Sequence, residues 1–282
     1  MHRTTLIAAL LVAVAGCTTV SPEPPPPNNI DRSDLFVFGP GDTLEDSDLL
    51  VMTGGAFART EAFEVVRNPD GGSVLTSITV GANASYRVQM RIRYDAEDQS
   101  VRATGLGNYG GEPIDVMITK ADDVARIVAE GTEFSADQTA PCDECQFDMS
   151  PSATPMFVMT RLYDETRGGK QTFRWVARAL IGDQVLLDGA ARLLKIGDFV
   201  FEKGGQSVPV KQYAFVERLK NEQIGAYFYV TFNLYTTPDG RPLGFATGGE
   251  TRGERRGYEG ITTALPPLIP ETTDFWPAPG AG

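Results

Sequence analysis

The stretch Tyr86 to Tyr94, YRVQMRIRY, alternates without interruption: Tyr86, Val88, Met90, Ile92 and Tyr94 are apolar or aromatic, and Arg87, Gln89, Arg91 and Arg93 are polar or charged. A period of two places the first set on one face of an extended segment and the second on the other, so the stretch belongs to a sheet that is apolar on a single side. Such a sheet needs a cover. The segments EAFEVV, SVLTSITV, SVRATG, IDVMIT, ARIVAE, QTFRWVARAL, QVLLDGAARLLKI, FVFEKG, VPVKQYAFVERL, AYFYVTFNLYT and LGFATGG read as further strands. Between them NPDGG, DAEDQ, the Gly-Asp pairs at 182–183 and 197–198, KNEQIG and TPDGRP supply turn residues, which points to hairpins.

One stretch breaks this rhythm. TPMFVMTRLYDETRGG offers Thr154 as N-cap, Pro155 at the first helical position, an apolar stripe of Met156, Met159, Leu162 and Tyr163, and a Gly168-Gly169 stop. A short amphipathic helix there can lie on the apolar face of the sheet. No internal repeat of solenoid or propeller length is apparent. The expected fold is all-β and mainly antiparallel: one domain over residues 30–262, a curved half-barrel or open barrel with one short helix against the concave face.

Aromatic residues concentrate in VPVKQYAFVERL and AYFYVTFNLYT. On the second, Phe228, Val230, Phe232 and Leu234 share one face, and Tyr227, Tyr229, Thr231, Asn233 and Tyr235 share the other. With Met156, Met159 and Leu162 of the helix, the first set is the candidate lining of an apolar ligand site. A plain sheet core is the competing reading, because such stripes usually are core.

The start of the chain carries an address. MHRTTLIAALLVAVAGCTTV has a basic start at Arg3, an apolar run from Leu6 to Ala15 and small residues before Cys17, the order of a secretory signal peptide over residues 1–16. As a helix this run would rise only about 15 Å, roughly half a bilayer core, so it is too short to be a spanning anchor. VAGC resembles the lipobox of bacterial lipoproteins, with Val14 where the family usually has Leu, Ala15 and Gly16 at the small positions and Cys17 as the lipidated residue. The resemblance implies cleavage before Cys17, acylation of that residue and, with Thr18 rather than Asp following it, sorting to the outer membrane with the body in the periplasm. Two or more acyl chains anchor stably where one does not. Next, TTVSPEPPPPNN has a run of four prolines from Pro24 to Pro27 and reads, through residue 29, as an extended tether about 37 Å long.

Charge and composition exclude several functions. Lys and Arg number 25 against 37 Asp and Glu, a balance of −12 that becomes 24 − 37 = −13 once Arg3 is removed with the leader. Nucleic acid is thereby disfavoured as a partner, and so is a broad electrostatic attraction to anionic lipid. The only histidine, His2, also lies in the leader, so a mature chain holds no catalytic triad, Cys-His pair or histidine-ligated zinc. No spacing nominates a catalytic pair, a cofactor or a metal site, and the chain is expected not to be an enzyme.

With Cys17 acylated, Cys142 and Cys145 remain, in a stretch that reads as a polar loop between SADQTAP and DMSPSATP. In an oxidising compartment an even pair is usually a disulfide; free or reactive thiols and a metal site are the alternatives. Gly105, Gly107 and Gly110 form a literal G-x-G-x-x-G, but Gly111 and Pro113 follow where a phosphate-binding helix would have to open, so a Gly-rich loop is expected. EDSD at 45–48 reads as a solvated acidic turn, and ETRGERRG as an exposed strand end or loop. The tail over residues 263–282 has five prolines and one aromatic pair, Phe275-Trp276, which either packs on the body or is offered to a partner.

In its order of meander strands with a mid-chain helix the body resembles the half-barrel domains of periplasmic lipid-binding and lipoprotein-handling proteins, including families of unknown function. That resemblance implies a non-catalytic outer-membrane lipoprotein that binds a lipid or other apolar ligand, in envelope assembly or transport. A structural or interaction lipoprotein with a filled core, binding other envelope components, is the alternative.

Overall fold

The computed structural model describes residues 39–54, 58–81, 86–109, 112–131, 135–150, 152–179, 189–221, 226–247, 251–265 and 275–276. Cys17, the leader and the tether lie outside these residues, as do the turn expected at 182–183 and most of KNEQIG. The strands are β1 (Thr43–Thr53), β2 (Arg59–Arg67), β3 (Ser73–Gly81), β4 (Tyr86–Tyr94), β5 (Ser100–Tyr109), β6 (Glu112–Ala121), β7 (Val124–Gly131), β8 (Ser135–Pro141), β9 (Cys145–Ser150), β10 (Gln171–Ala179), β11 (Gly189–Lys203), β12 (Gln206–Asn221), β13 (Ala226–Thr236), β14 (Pro242–Thr247) and β15 (Arg252–Arg255). Two short helices, α1 (Thr154–Val158), continued by a 3-10 turn at Met159–Leu162, and α2 (Ile261–Ala264), complete the regular structure.

All strands belong to one sheet, in the order β8-β7-β6-β5-β4-β3-β2-β1-β15-β14-β13-β12-β11-β10-β9. Neighbours are antiparallel except β9 and β10, which run parallel. The first and last strands meet mid-sheet, with Leu50 opposite Arg255. The two outermost strands, β8 and β9, are consecutive in the chain and separated only by residues 142–144. Four Cα steps reach at most about 15 Å. The sheet must therefore roll until its ends meet, and β9 comes to lie against β5. Phe147 N–H donates to Ser100 Oγ at 3.0 Å, Ser100 Oγ donates to Gln146 Oε1 at 2.9 Å, and Gln146 Nε2 donates to Gln99 Oε1 at 3.0 Å. Among the described residues this seam is closed by side chains, with no backbone ladder between β9 and β5.

The alternation expected in β4 is present: Val88, Met90, Ile92 and Tyr94 are buried, and Arg87, Arg91 and Arg93 are exposed. The inward residues of most strands merge with Met156, Phe157, Val158 and Met159 into one apolar cluster, so the helical segment fills the middle of the rolled sheet. Consecutive residues Trp175 and Val176 are both buried, as are Gln146 and Phe147, so β9 and β10 are covered on both faces.

Several local expectations are corrected. The helix is capped at Ala153 rather than Thr154, and the buried Glu61 carboxylate on β2 takes over the capping. Ala153 N–H donates to Glu61 Oε2 at 2.8 Å and Thr154 N–H to Oε1 at 3.3 Å, while the hydroxyls of Ser152 and Thr154 also donate to Oε1. A carboxylate at a helix start satisfies orphan amides and suits the local dipole. The helical segment ends at Leu162, before Gly168-Gly169, because Tyr163 turns extended and Asp164 Oδ1 accepts the amides of Thr166 and Arg167 in a separate turn.

The Gly-Asp pair at 197–198 is no turn. It lies inside β11, where the register shifts between Lys195 and Gly197, and the hairpin reverses later at Gly204-Gly205, both with positive φ. Gly105 and Gly107 sit in β5, not in a loop: a Cβ on Gly107 would come within 2.3 Å of the Arg87 carbonyl oxygen, so glycine permits the β4–β5 approach. EDSD is part of β1, and its acids are answered by arginines. Arg255 Nη2 binds Asp46 at 2.7 Å and Arg255 Nε binds Asp48 at 2.9 Å. Of the two readings of ETRGERRG, strand end or loop, the structure has the strand: the stretch contains β15, which joins β1 to β14 inside the sheet.

The disulfide expectation agrees with the structure, and the expected polar loop is a short turn at 142–144 with Asp143 and Glu144 exposed, Cys145 opening β9. Cys142 and Cys145 are bonded, with Cα atoms 4.9 Å apart, and both are fully buried at the turn between β8 and β9. In the tail, Phe275 and Trp276 pack on Ala214 and Val216, and Trp276 lies between the guanidinium groups of Arg192 and Arg218, 4.1 and 4.2 Å from its ring.

Candidate functional site

The inward row of β12 runs Tyr213, Phe215, Glu217. Two of these belong where an apolar face requires them, and the third is an acid. Glu217 faces Ala191 on β11 and Val230 on β13, and is only 6% exposed. Its Oε1 has no hydrogen-bond partner, and neither does the indole N–H of Trp175 on β10. The two are close enough that the indole N–H tempers the effect of burial on the carboxyl. Burial dominates and pushes Glu217 up to about 7. Small residues on the intervening strand, Gly189 and Ala191, lie opposite Trp175 and Glu217 respectively.

Around this pair stands an aromatic wall. Trp175 and Phe215, Phe215 and Phe232, and Phe232 and Phe245 make successive edge contacts at 5.9, 5.9 and 6.0 Å between ring centres, crossing β10, β12, β13 and β14. Val230 and Phe232 are only half-buried although they lie in phase with buried Leu234, so the wall loosens toward the β12–β13 turn. An acid and an N–H donor set in such a wall can receive a group that both donates and accepts, such as a hydroxyl, an amide or a carboxylic acid.

The residues proposed from sequence as a lining separate into three places. Val230, Phe232 and Leu234 do form one inward row, beside Glu217. Met156 and Met159 are buried in the filled middle of the sheet. Leu162 instead borders a separate cleft of about 620 Å³ lined also by Gln99, Asp164, Phe173 and Arg174. The side chain of Phe228 lies outside the described residues. Sequence reasoning passed over Glu217, Trp175 and Glu61. The available signal was an acid in phase with an apolar row, as in Phe215-Glu217 and Glu61-Phe63-Val65.

At the opposite end of the barrel a cleft of about 300 Å³ is lined by Glu45, Arg67, Arg161, Glu165, Lys211 and Tyr213, among others. Its lining sets three cations, Arg67, Arg161 and Lys211, against three acids, Glu45, Glu165 and Asp239: Arg161 and Arg67 bind Glu45 at 3.0 and 3.2 Å, and Lys211 binds Glu165 at 2.6 Å. The cleft braces the helical segment against the strand ends and offers no net charge to a ligand. Among the described residues no group of three His, Cys, Asp or Glu side chains is placed to hold a metal ion.

No family model matches the chain, and no curated protein matches it. Among solved structures it is similar to a beta-barrel-like protein of the domain of unknown function DUF1849 from Brucella abortus. That likeness is 12% in identity, covers 76% of this chain and 92% of the other, and has a TM-score of 0.47. It is also similar to a DUF1089 family protein from Pseudomonas aeruginosa, at 15% identity over 66% of this chain and 87% of the other, with a TM-score of 0.32.

Proposed function

We propose that this chain is a lipid-anchored, non-catalytic protein of the outer membrane whose rolled sheet receives an apolar ligand with a polar head. The observation that carries the reading is the buried, unpartnered pair of Glu217 Oε1 and Trp175 Nε1–H within the aromatic wall. Buried polar groups are almost always paired, and leaving one unmet costs about 1–3 kcal/mol. Two such groups side by side are what an arriving polar head would satisfy. The head group sits between acid and indole; the apolar remainder lies along Phe232 and Val230. The lipobox resemblance at Cys17 and the proline-rich tether support the anchoring, and the loss of the only histidine with the leader supports the absence of catalysis.

Solvent extraction and mass spectrometry of protein lacking residues 1–17 tests this. Co-purified amphiphile, reduced in Glu217→Gln, is the expected result; extracts free of amphiphile would defeat it. A second reading, an interaction lipoprotein with a filled interior, draws on the continuous apolar cluster into which the helical segment is packed. An empty extract, together with envelope proteins cross-linked to the intact chain in cells, would favour it.

A further inference from the structure

A chain with a formal charge of −12 nevertheless concentrates arginine on the outer face of two neighbouring strands. Arg91 and Arg93 on β4 and Arg102 on β5 are all exposed and line one groove of about 340 Å³ with Val74 and Thr104. Arg93 and Arg102 stand directly opposite one another in the ladder, and Arg91 stands opposite Thr104. Like charges in directly opposed positions destabilise a sheet. Local acids compensate this only weakly. Arg93 reaches Asp70 at 3.4 Å with both side chains more than half exposed, and the contact made by Arg102 is with the thioether of Met117, at 3.5 Å. Two residues beyond Thr104 on the same face, Leu106 is 52% exposed, so the basic groove has an apolar flank.

We infer that this groove binds a phosphate group, with the guanidinium planes of Arg93 and Arg102 converging on its oxygens. Guanidinium forks match phosphate bidentately, and the opposed pair Arg93 and Arg102 matches a dianion better than it matches the single carboxylate of Asp70. The net negative charge of the protein opposes a broad attraction to anionic surfaces, so binding has to be local and built from this one cluster. The exposed Leu106 beside it suits a phosphate carried by an amphiphile. This inference is independent of the inward-facing pair at Glu217.

The test uses the chain lacking residues 1–17, so that neither the apolar leader nor an acyl group contributes to membrane affinity. Inorganic phosphate is titrated by calorimetry at constant ionic strength, and sedimentation is measured with vesicles of phosphatidylcholine alone and of phosphatidylcholine containing phosphatidic acid. Binding to the phosphatidic acid vesicles but not to phosphatidylcholine alone is expected, weakened at least about tenfold in Arg93→Gln/Arg102→Gln, or about 1.4 kcal/mol. Binding of inorganic phosphate that disappears in the same variant supports the site and assigns free phosphate as a sufficient ligand; binding to vesicles only assigns the lipid head group. The charge-preserving variant Arg93→Lys/Arg102→Lys is expected to lose severalfold in phosphate affinity. If it binds as well as the parent chain, or if the glutamine variant binds undiminished, or if neither probe binds the parent, the proposal fails.

Discussion

Replacing Glu217 by glutamine keeps the shape of the side chain and removes its titration. In the folded protein burial holds this carboxyl at about 7, against an ordinary value of 4.5. Moving a carboxyl across that interval corresponds to about 3 kcal/mol. The sign follows from proton uptake. Below pH 4.5 both folded and unfolded chains carry the proton and the group contributes no slope. Between 4.5 and about 7 the unfolded chain ionises while the folded chain stays protonated, so stability falls as pH rises; above about 7 both are ionised and the fall stops. Urea or thermal unfolding of parent and Glu217→Gln, measured from acid to mildly alkaline pH, isolates this group in the difference between them. That difference should grow in favour of the variant by about 3 kcal/mol across the window and then level off, or roughly 6–12 °C in midpoint at about 2–4 °C per kcal/mol. A difference that does not change with pH would show that Glu217 is solvated or already paired, and the argument for a waiting polar site would go with it.

Other perturbations test the remaining structure. Glu61→Ala strips the helical segment of its buried cap and leaves the amides of Ala153 and Thr154 unmet, a loss of about 3 kcal/mol by chemical denaturation. Glu61→Gln, which keeps an acceptor, should lose less. Cys142→Ala/Cys145→Ala frees a short turn and costs about 2 kcal/mol on the chain-entropy account, with reductant lowering the midpoint of the parent but not of the variant. Cys17→Ser should abolish incorporation of labelled palmitate and release the protein from the membrane fraction; continued membrane association of an unlabelled protein would remove the anchoring proposal.

Much of this fold could be read from residue order because a one-sided strand carries a period of two that needs no tertiary context. β4 is the clearest case, and the inward row Val230-Phe232-Leu234 was legible in the same way. The errors fall where a residue's usual meaning depends on an absent neighbour. Asp46 and Asp48 look solvated until Arg255, more than 200 positions away, is brought beside them. Gly107 looks like loop material until the Arg87 carbonyl approaches it. Gly197 looks like a turn, yet β12 pairs on both sides of it and carries β11 through.

By itself, then, the order of residues determined the strand class, the inward and outward faces, the mid-chain helical segment and the single histidine, His2, all properties of local spacing and composition. Tertiary structure alone decided that β8 and β9, joined by three residues, close the sheet on itself, and that Glu61 caps a helix while Glu217 and Trp175 wait unpaired in an aromatic wall. The physical reason is that a polar group's meaning depends on which partners and how much water surround it after burial, and distant strands set both.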